Sequence, residues 1–101
     1  MRMLMFIQLP LEPFNSKVRN GTAGPTMMKI LEDVKPEASY FSERDGKRGG
    51  ILVVNVNKPS DVPRLSEPWF LNFNASVELR ICMGPQDLAE SDLDALGKKW
   101  G

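Results

Sequence analysis

The sequence predicts an α+β fold: a four-stranded antiparallel sheet in the order 4-1-3-2, helices against one face, and a helical tail after the last strand. Three observations predict it. Extended and helical patterns follow one another as β-α-β-β-α-β. An Asp45-Gly46 pair stands between two extended runs, the strongest short-range hairpin signal. The first and third strands are apolar on both faces, as the central pair of a covered sheet must be. With 101 residues the chain fits one domain, 1–101, and leaves no room for a second.

Residues 2–9 make the first strand. Met3, Met5, Ile7 and Leu9 point one way and Leu4 and Phe6 the other, with Gln8 the exception. The opening charge and apolar run resemble a signal peptide only superficially. The run is short, Pro10 ends it, and no small-residue cleavage site follows. Residues 12–35 read as two helices, near 12–20 and 25–35. Phe14 and Val18 are spaced for one face of the first; Met28, Leu31 and Val34 continue at steps of three. Asn20-Gly21-Thr22-Ala23-Gly24 separates them, Pro25 suits a first helical position, and Pro36 ends the second.

Residues 37–43 form the second strand and 50–56 the third, where Ile51-Leu52-Val53-Val54 leaves no polar face. Near 60–73 a helix starts at Ser60, a good N-cap. Its stripe is Val62, Leu65, Trp69 and Phe73, and Pro68 predicts a kink or restart. The fourth strand, 75–83, alternates Val77, Leu79, Ile81 and Met83 with Ser76, Glu78, Arg80 and Cys82, so one of its faces is buried. Helical pattern returns near 85–99 with Leu88, Leu93, Leu96 and Trp100. Ser91 followed by Asp94 resembles a capping box for a last short helix.

Right-handed crossovers set strands one and two parallel with a gap, and the hairpin folds strand three into it. Strand four falls on the other side of strand one, which gives the ferredoxin-like order. Two crossover helices of one hand cover one face of that sheet. Half of the apolar residues of 3–9 and 51–56 remain on the other. Either the tail helices or a second copy must cover it, and the commonness of two-fold dimers favours a homodimer through the open sheet face.

Composition excludes much chemistry. There is no histidine, so no Ser-His-Asp relay, Cys-His relay or HExxH zinc site exists. A single cysteine, Cys82, cannot form an internal disulfide and fits a cytoplasmic protein. No metal site is supported, because Asp87, Glu90, Asp92 and Asp94 lack the glycine and spacing of a calcium loop. No GxGxxG or Walker motif occurs, so no cofactor is expected. No apolar stretch is long enough to span a membrane. Thirteen Lys+Arg balance thirteen Asp+Glu, which argues against a nucleic-acid partner. RNA-recognition motifs share the topology, but their stacking aromatics are replaced here by Gly50, Leu52 and Asn55 in the run Arg48-Gly49-Gly50-Ile51-Leu52-Val53-Val54-Asn55.

Segments such as Leu9-Pro10-Leu11-Glu12-Pro13-Phe14-Asn15, Lys35-Pro36-Glu37-Ala38, Glu67-Pro68-Trp69-Phe70-Leu71-Asn72-Phe73-Asn74 and Leu93-Asp94-Ala95-Leu96-Gly97-Lys98-Lys99-Trp100-Gly101, with the topology, resemble small bacterial proteins of the dimeric α/β-barrel superfamily. Some of these carry a pantothenate synthetase-like label. True pantothenate synthetases use a histidine-containing nucleotide motif on a larger fold, which this chain cannot carry. The resemblance implies a dimeric α/β barrel. Among its enzymes are cofactor-independent monooxygenases and muconolactone isomerase-like proteins. The His-Asp mechanism of the YciI-like members has no residues here.

Some such monooxygenases place Asn, Trp, Tyr and Arg around an aromatic substrate. The corresponding residue types here are Tyr40, Asn55, Trp69 and Arg80, the candidate pocket. Trp69 also reads as core packing, Tyr40 as a surface or dimer contact, and Arg80 as the partner of Glu78. Asn55 must be hydrogen-bonded if buried. The expected function is the binding of a small apolar or aromatic molecule in a cleft between sheet and helices. A cofactor-independent monooxygenase or isomerase, and a non-catalytic protein-interaction module, are the alternatives.

Overall fold

The computed structural model describes residues 1–101. Along the chain run β1 (Arg2–Leu9), α1 (Leu11–Arg19), α2 (Ala23–Val34), β2 (Ala38–Arg44), β3 (Lys47–Asn55), α3 (Asp61–Phe73), β4 (Ser76–Ile81), α4 (Pro85–Glu90) and α5 (Leu93–Trp100). The strands form one antiparallel sheet in the order β2-β3-β1-β4, the expected order seen from the opposite edge.

Register decides which side chains share a face. Met5 lies opposite Leu52 on β3 and Leu79 on β4, and Ile7 opposite Gly50 and Val77. This face packs against the helices. Met5, Ile7, Leu9, Leu52 and Val54 are buried there under Ile30 and Val34 of α2 and Leu65, Trp69 and Phe73 of α3. Phe14 of α1 closes one end, its ring 5.1 Å from that of Phe73. The next residue along each strand points the other way. Phe6, opposite Ile51 and Glu78, joins Leu4, Gln8, Val53, Tyr40 and Arg80 on a face that no helix covers.

Several local expectations change. The Asp45-Gly46 turn, with φ of 53° and 74°, is tight enough to pair Arg44 directly with Lys47, so β3 starts at Lys47 rather than near 50. In α2 the inward stripe is Met27, Ile30, Leu31 and Val34, at steps of three, one and three. Met28 is next to that stripe but outside it, and it and Val18 of α1 are more than half exposed. Ser60 makes no side-chain cap for α3. No side chain caps α3; Asp61 instead ties down the loop that enters it, its Oδ2 accepting from the backbone N–H groups of Asn57 at 3.0 Å and Lys58 at 3.3 Å. Pro68 does not break α3, which stays continuous to Phe73. The carbonyl that loses its partner belongs to Arg64, on the exposed side of the helix, where an unpaired acceptor costs little.

β4 ends at Ile81 rather than 83; Val77 and Leu79 are half-buried, but Ile81 is 68% exposed and Met83, past the end of the strand, 64%. The helical layer stops short of that corner. Beyond it the tail forms two helices, separated at Asp92, whose φ is 54°. Asp92, not Ser91, caps α5 by accepting from Ala95 N–H at 3.3 Å. Every residue from 85 to 101 is exposed. The tail therefore leaves the open sheet face uncovered. It also lengthens the molecule: the radius of gyration is 17.0 Å, with extents of 59 × 29 × 19 Å. A compact chain of this length has a radius near 13 Å.

Two predictions concern this framework. Trp69 has no exposed surface, and its indole N–H has no hydrogen-bond partner. Trp69→Ala costs about 3–5 kcal/mol in urea unfolding. Trp69→Phe costs less, because it also removes the unpaired donor. The amide of Asn57 and, after a smaller opposing desolvation, the amide of Lys58 and the charge of Arg64 hold the Asp61 carboxyl below its ordinary value. A depressed carboxyl stabilises the fold above its unfolded pKa and loses that contribution as pH falls through the folded one. The melting temperature accordingly drops on acidification below about pH 4. Asp61→Ala lowers it at pH 7 and flattens that acid limb.

Candidate functional site

The open face carries a hollow of about 310 Å³. Phe6 of β1 and Ile51 of β3 form its apolar floor, and Tyr40, Arg44 and Arg80 stand around it. Strand alternation puts them together: Tyr40 pairs with Ile51 and Ile51 with Phe6, all on one face. Gly49 keeps the floor low at one end. A Cβ there would meet the Ile7 carbonyl oxygen at 3.0 Å and that of Ser42 at 3.4 Å.

Two guanidinium groups flank the Phe6 ring. Arg80 Cζ lies 4.9 Å and Arg44 Cζ 5.8 Å from its centroid. This is cation–π distance, so the ring holds both cations near the hollow. Arg80 also pairs with Glu78 at 2.8 Å. Arg44 has no carboxylate within 4 Å. The Glu43 carboxylate is engaged by the Gly46 N–H at 2.9 Å. The site is thus an aromatic surface edged by two cations and one phenol.

A second hollow, of about 280 Å³, opens between sheet and helices beside β2. Leu9, Phe14, Met27 and Phe41 line it, with Arg48. Arg48 is already committed: its Nη1 donates to Asn15 Oδ1 at 2.7 Å and its Cζ lies 4.7 Å over the Phe14 ring. Elsewhere the space between sheet and helices is filled by the core.

Of the four candidate residues, the structure brings Tyr40 and Arg80 together at the first hollow. It places the other two elsewhere. Trp69 is wholly buried on the helix side of the sheet. Asn55 sits at the end of β3, where its Oδ1 accepts from the Met1 amine at 3.0 Å and its Nδ2 donates to Asn57 Oδ1 at 3.0 Å. Phe6 and Arg44 were not among the candidates. The signal for both was period-two alternation: Phe6 shares the outward side of β1 with Leu4, and Arg44 that of β2 with Tyr40.

Other polar clusters are structural. Arg2 bonds Glu37 through two hydrogen bonds of 3.1 Å, which raise its pKa. Ser16 donates to Glu12 at 2.7 Å and lowers that carboxyl. Cys82 is half-buried, with its thiol 3.5 Å from the Arg2 carbonyl. No group of three His, Cys, Asp or Glu side chains is placed to hold a metal ion. No helix is long and apolar enough to cross a membrane.

No protein-family model matches the chain, and no curated protein sequence is similar to it. Solved structures are. The 5-chloro-2-hydroxyhydroquinone dehydrochlorinase of Burkholderia phenoliruptrix, in complex with 2,5-dihydroxybenzoquinone, is 19% identical over 86% of this chain and 99% of its own, with a TM-score of 0.55. The de novo designed protein Ferredog-Diesel is 10% identical over 79% of this chain and 83% of its own, with a TM-score of 0.43. The first likeness shows a shared fold, the ferredoxin-like arrangement that the superfamily resemblance implied.

Proposed function

We propose that this protein binds a small aromatic or cyclic anion on the open sheet face. The hollow over Phe6 and Ile51, with the guanidinium groups of Arg44 and Arg80 at its edge, carries this reading. An aromatic ring suits an apolar floor, and a phenolate, enolate or carboxylate suits two arginines. Arg44 is the stronger anion site of the two, because no carboxylate competes for it. The hollow beside β2 is less suited, since Arg48 there is already taken by Asn15 and Phe14.

The cyclic, acidic molecule bound to the dehydrochlorinase belongs to the same chemical class, on the same fold. Binding is preferred to catalysis. The side chains at the hollow suited to pass a proton are Tyr40 and Glu43; both are exposed to water, Tyr40 at 69%, and the Glu43 carboxylate is held by the Gly46 N–H. The reading includes a homodimer through the open face. A second sheet laid over Leu4, Phe6, Ile51 and Tyr40 would exclude that water and enclose the hollow.

Calorimetry with benzoate and 4-hydroxybenzoate, against benzyl alcohol as the neutral control, tests the ligand class. The anions bind and the alcohol does not. Arg44→Ala and Arg80→Ala each weaken binding by about tenfold, the loss of one charged hydrogen bond. Asn55→Ala leaves it unchanged. Equal binding of the neutral compound, or arginine variants that bind like the parent, would reject the proposal.

A further inference from the structure

We infer that Glu78 sets the charge of the ligand: by holding Arg80, it restricts the open-face hollow to molecules with a single anionic group and turns away aromatic dianions. The inference rests on the anion reading of that hollow. It adds the number of charges the ligand carries and the residue that limits them.

The sheet places Glu78 beside the site. It and Arg80 are two residues apart on β4, so they share its outward side. In register Glu78 lies opposite Phe6 and Arg80 opposite Leu4. Yet the Arg80 guanidinium is found over Phe6, 4.9 Å from the ring centroid. The side chain has leaned back along the strand from its own position to that of Glu78. Two contacts draw it there. One is the face of the Phe6 ring. The other is the Glu78 carboxylate, whose Oε2 accepts from Arg80 Nη2 at 2.8 Å. That is the only hydrogen bond of this guanidinium, which carries several N–H donors. Arg80 therefore keeps donors for a ligand, but its charge is already matched. The Glu78 carboxylate in turn bonds nothing except Arg80.

The rest of the patch has no second cation to spare. Glu43, Arg44 and Arg80 stand at the hollow. Asp45 and Glu78 stand at an adjoining depression of about 210 Å³, which shares Phe6 and Arg44 with it. Three carboxylates thus face two guanidinium groups. Arg44 is the one with no carboxylate within 4 Å. A ligand with one anionic group takes Arg44 and the remaining N–H groups of Arg80. A second anionic group meets no unmatched cation and lies among three carboxylates. The Arg80 and Glu78 side chains are 59% and 52% exposed, so the discrimination is severalfold and not of many orders.

The test compares benzoate with terephthalate, which carries a second carboxylate across the same ring, by calorimetry on the full chain. The parent binds benzoate severalfold more tightly. Glu78→Gln raises terephthalate affinity about fivefold and benzoate affinity less than about twofold, with the unfolding transition unchanged. Glu78→Asp, which keeps the charge, keeps the preference. Salt near 0.5 M narrows it in the parent, as a purely structural role for Glu78 would not. A second readout needs no ligand. In phenylglyoxal labelling followed by mass spectrometry of the peptides, Arg44 reacts before Arg80 in the parent, and Glu78→Gln speeds the labelling of Arg80 severalfold. Benzoate that binds none of these proteins rejects the anion reading itself. If benzoate binds, the role of Glu78 alone is overturned by any of three results: terephthalate bound as tightly by the parent, an affinity ratio unchanged in Glu78→Gln, or Arg80 labelling unchanged in that variant.

Discussion

The structure depends on one-sided burial of the sheet. Met5 and Leu52 from the two central strands meet Leu65, Trp69 and Phe73 of α3 with almost no solvent contact. Both crossover connections are right-handed, so α1, α2 and α3 all fall on the same side. With strand alternation, that places every second residue of β1 and β3 in the core and leaves the rest outside. The core is small. Only 18 of 101 residues are buried, so much apolar surface remains to be covered by something else.

The candidate site is a consequence of that geometry. Phe6 and Ile51 cannot reach the core, because their strand neighbours Met5, Ile7 and Leu52 already occupy it. Outside, they meet the outward residues of the edge strands, which are polar and charged. An aromatic floor ringed by arginines results where apolar central strands adjoin polar edge strands. The unpaired indole N–H of Trp69 marks the opposite condition, a polar atom accepted into the core for the sake of a large apolar side chain. The same shortage of covering layers leaves α5 with a free stripe and β2 with two free rings.

Much of the fold was legible before any coordinates. Alternation in 2–9, the Asp45-Gly46 turn and the helical spacing of Leu65, Trp69 and Phe73 are local signals with local causes. The misreadings are equally instructive. Ser60 is a good cap by residue type, yet it makes no such bond; the polar anchor there is Asp61, whose carboxylate gathers the amides of Asn57 and Lys58 in the loop before the helix. Pro68 reads as a helix breaker, but continuous packing of Leu65, Trp69 and Phe73 outweighs one lost hydrogen bond on the exposed side. Trp69 and Tyr40 were equal candidates by residue type. Only the faces of their elements tell them apart.

By itself the sequence determined the element order, the sheet order, the two-sided apolar character of the central strands, and the absence of any histidine-based mechanism. These follow from periodicity, turn chemistry and composition, all of which act between near neighbours or on the whole chain at once. Tertiary structure decided which half of each central strand is left open and that Phe6 and Arg44 stand beside Tyr40 and Arg80. It also decided that Asn55 and Trp69 lie apart from them, and that the last two helices stand off the body. Those are relations between residues distant along the chain, set by strand register and by where the helical layer ends. No local pattern encodes where a layer runs out.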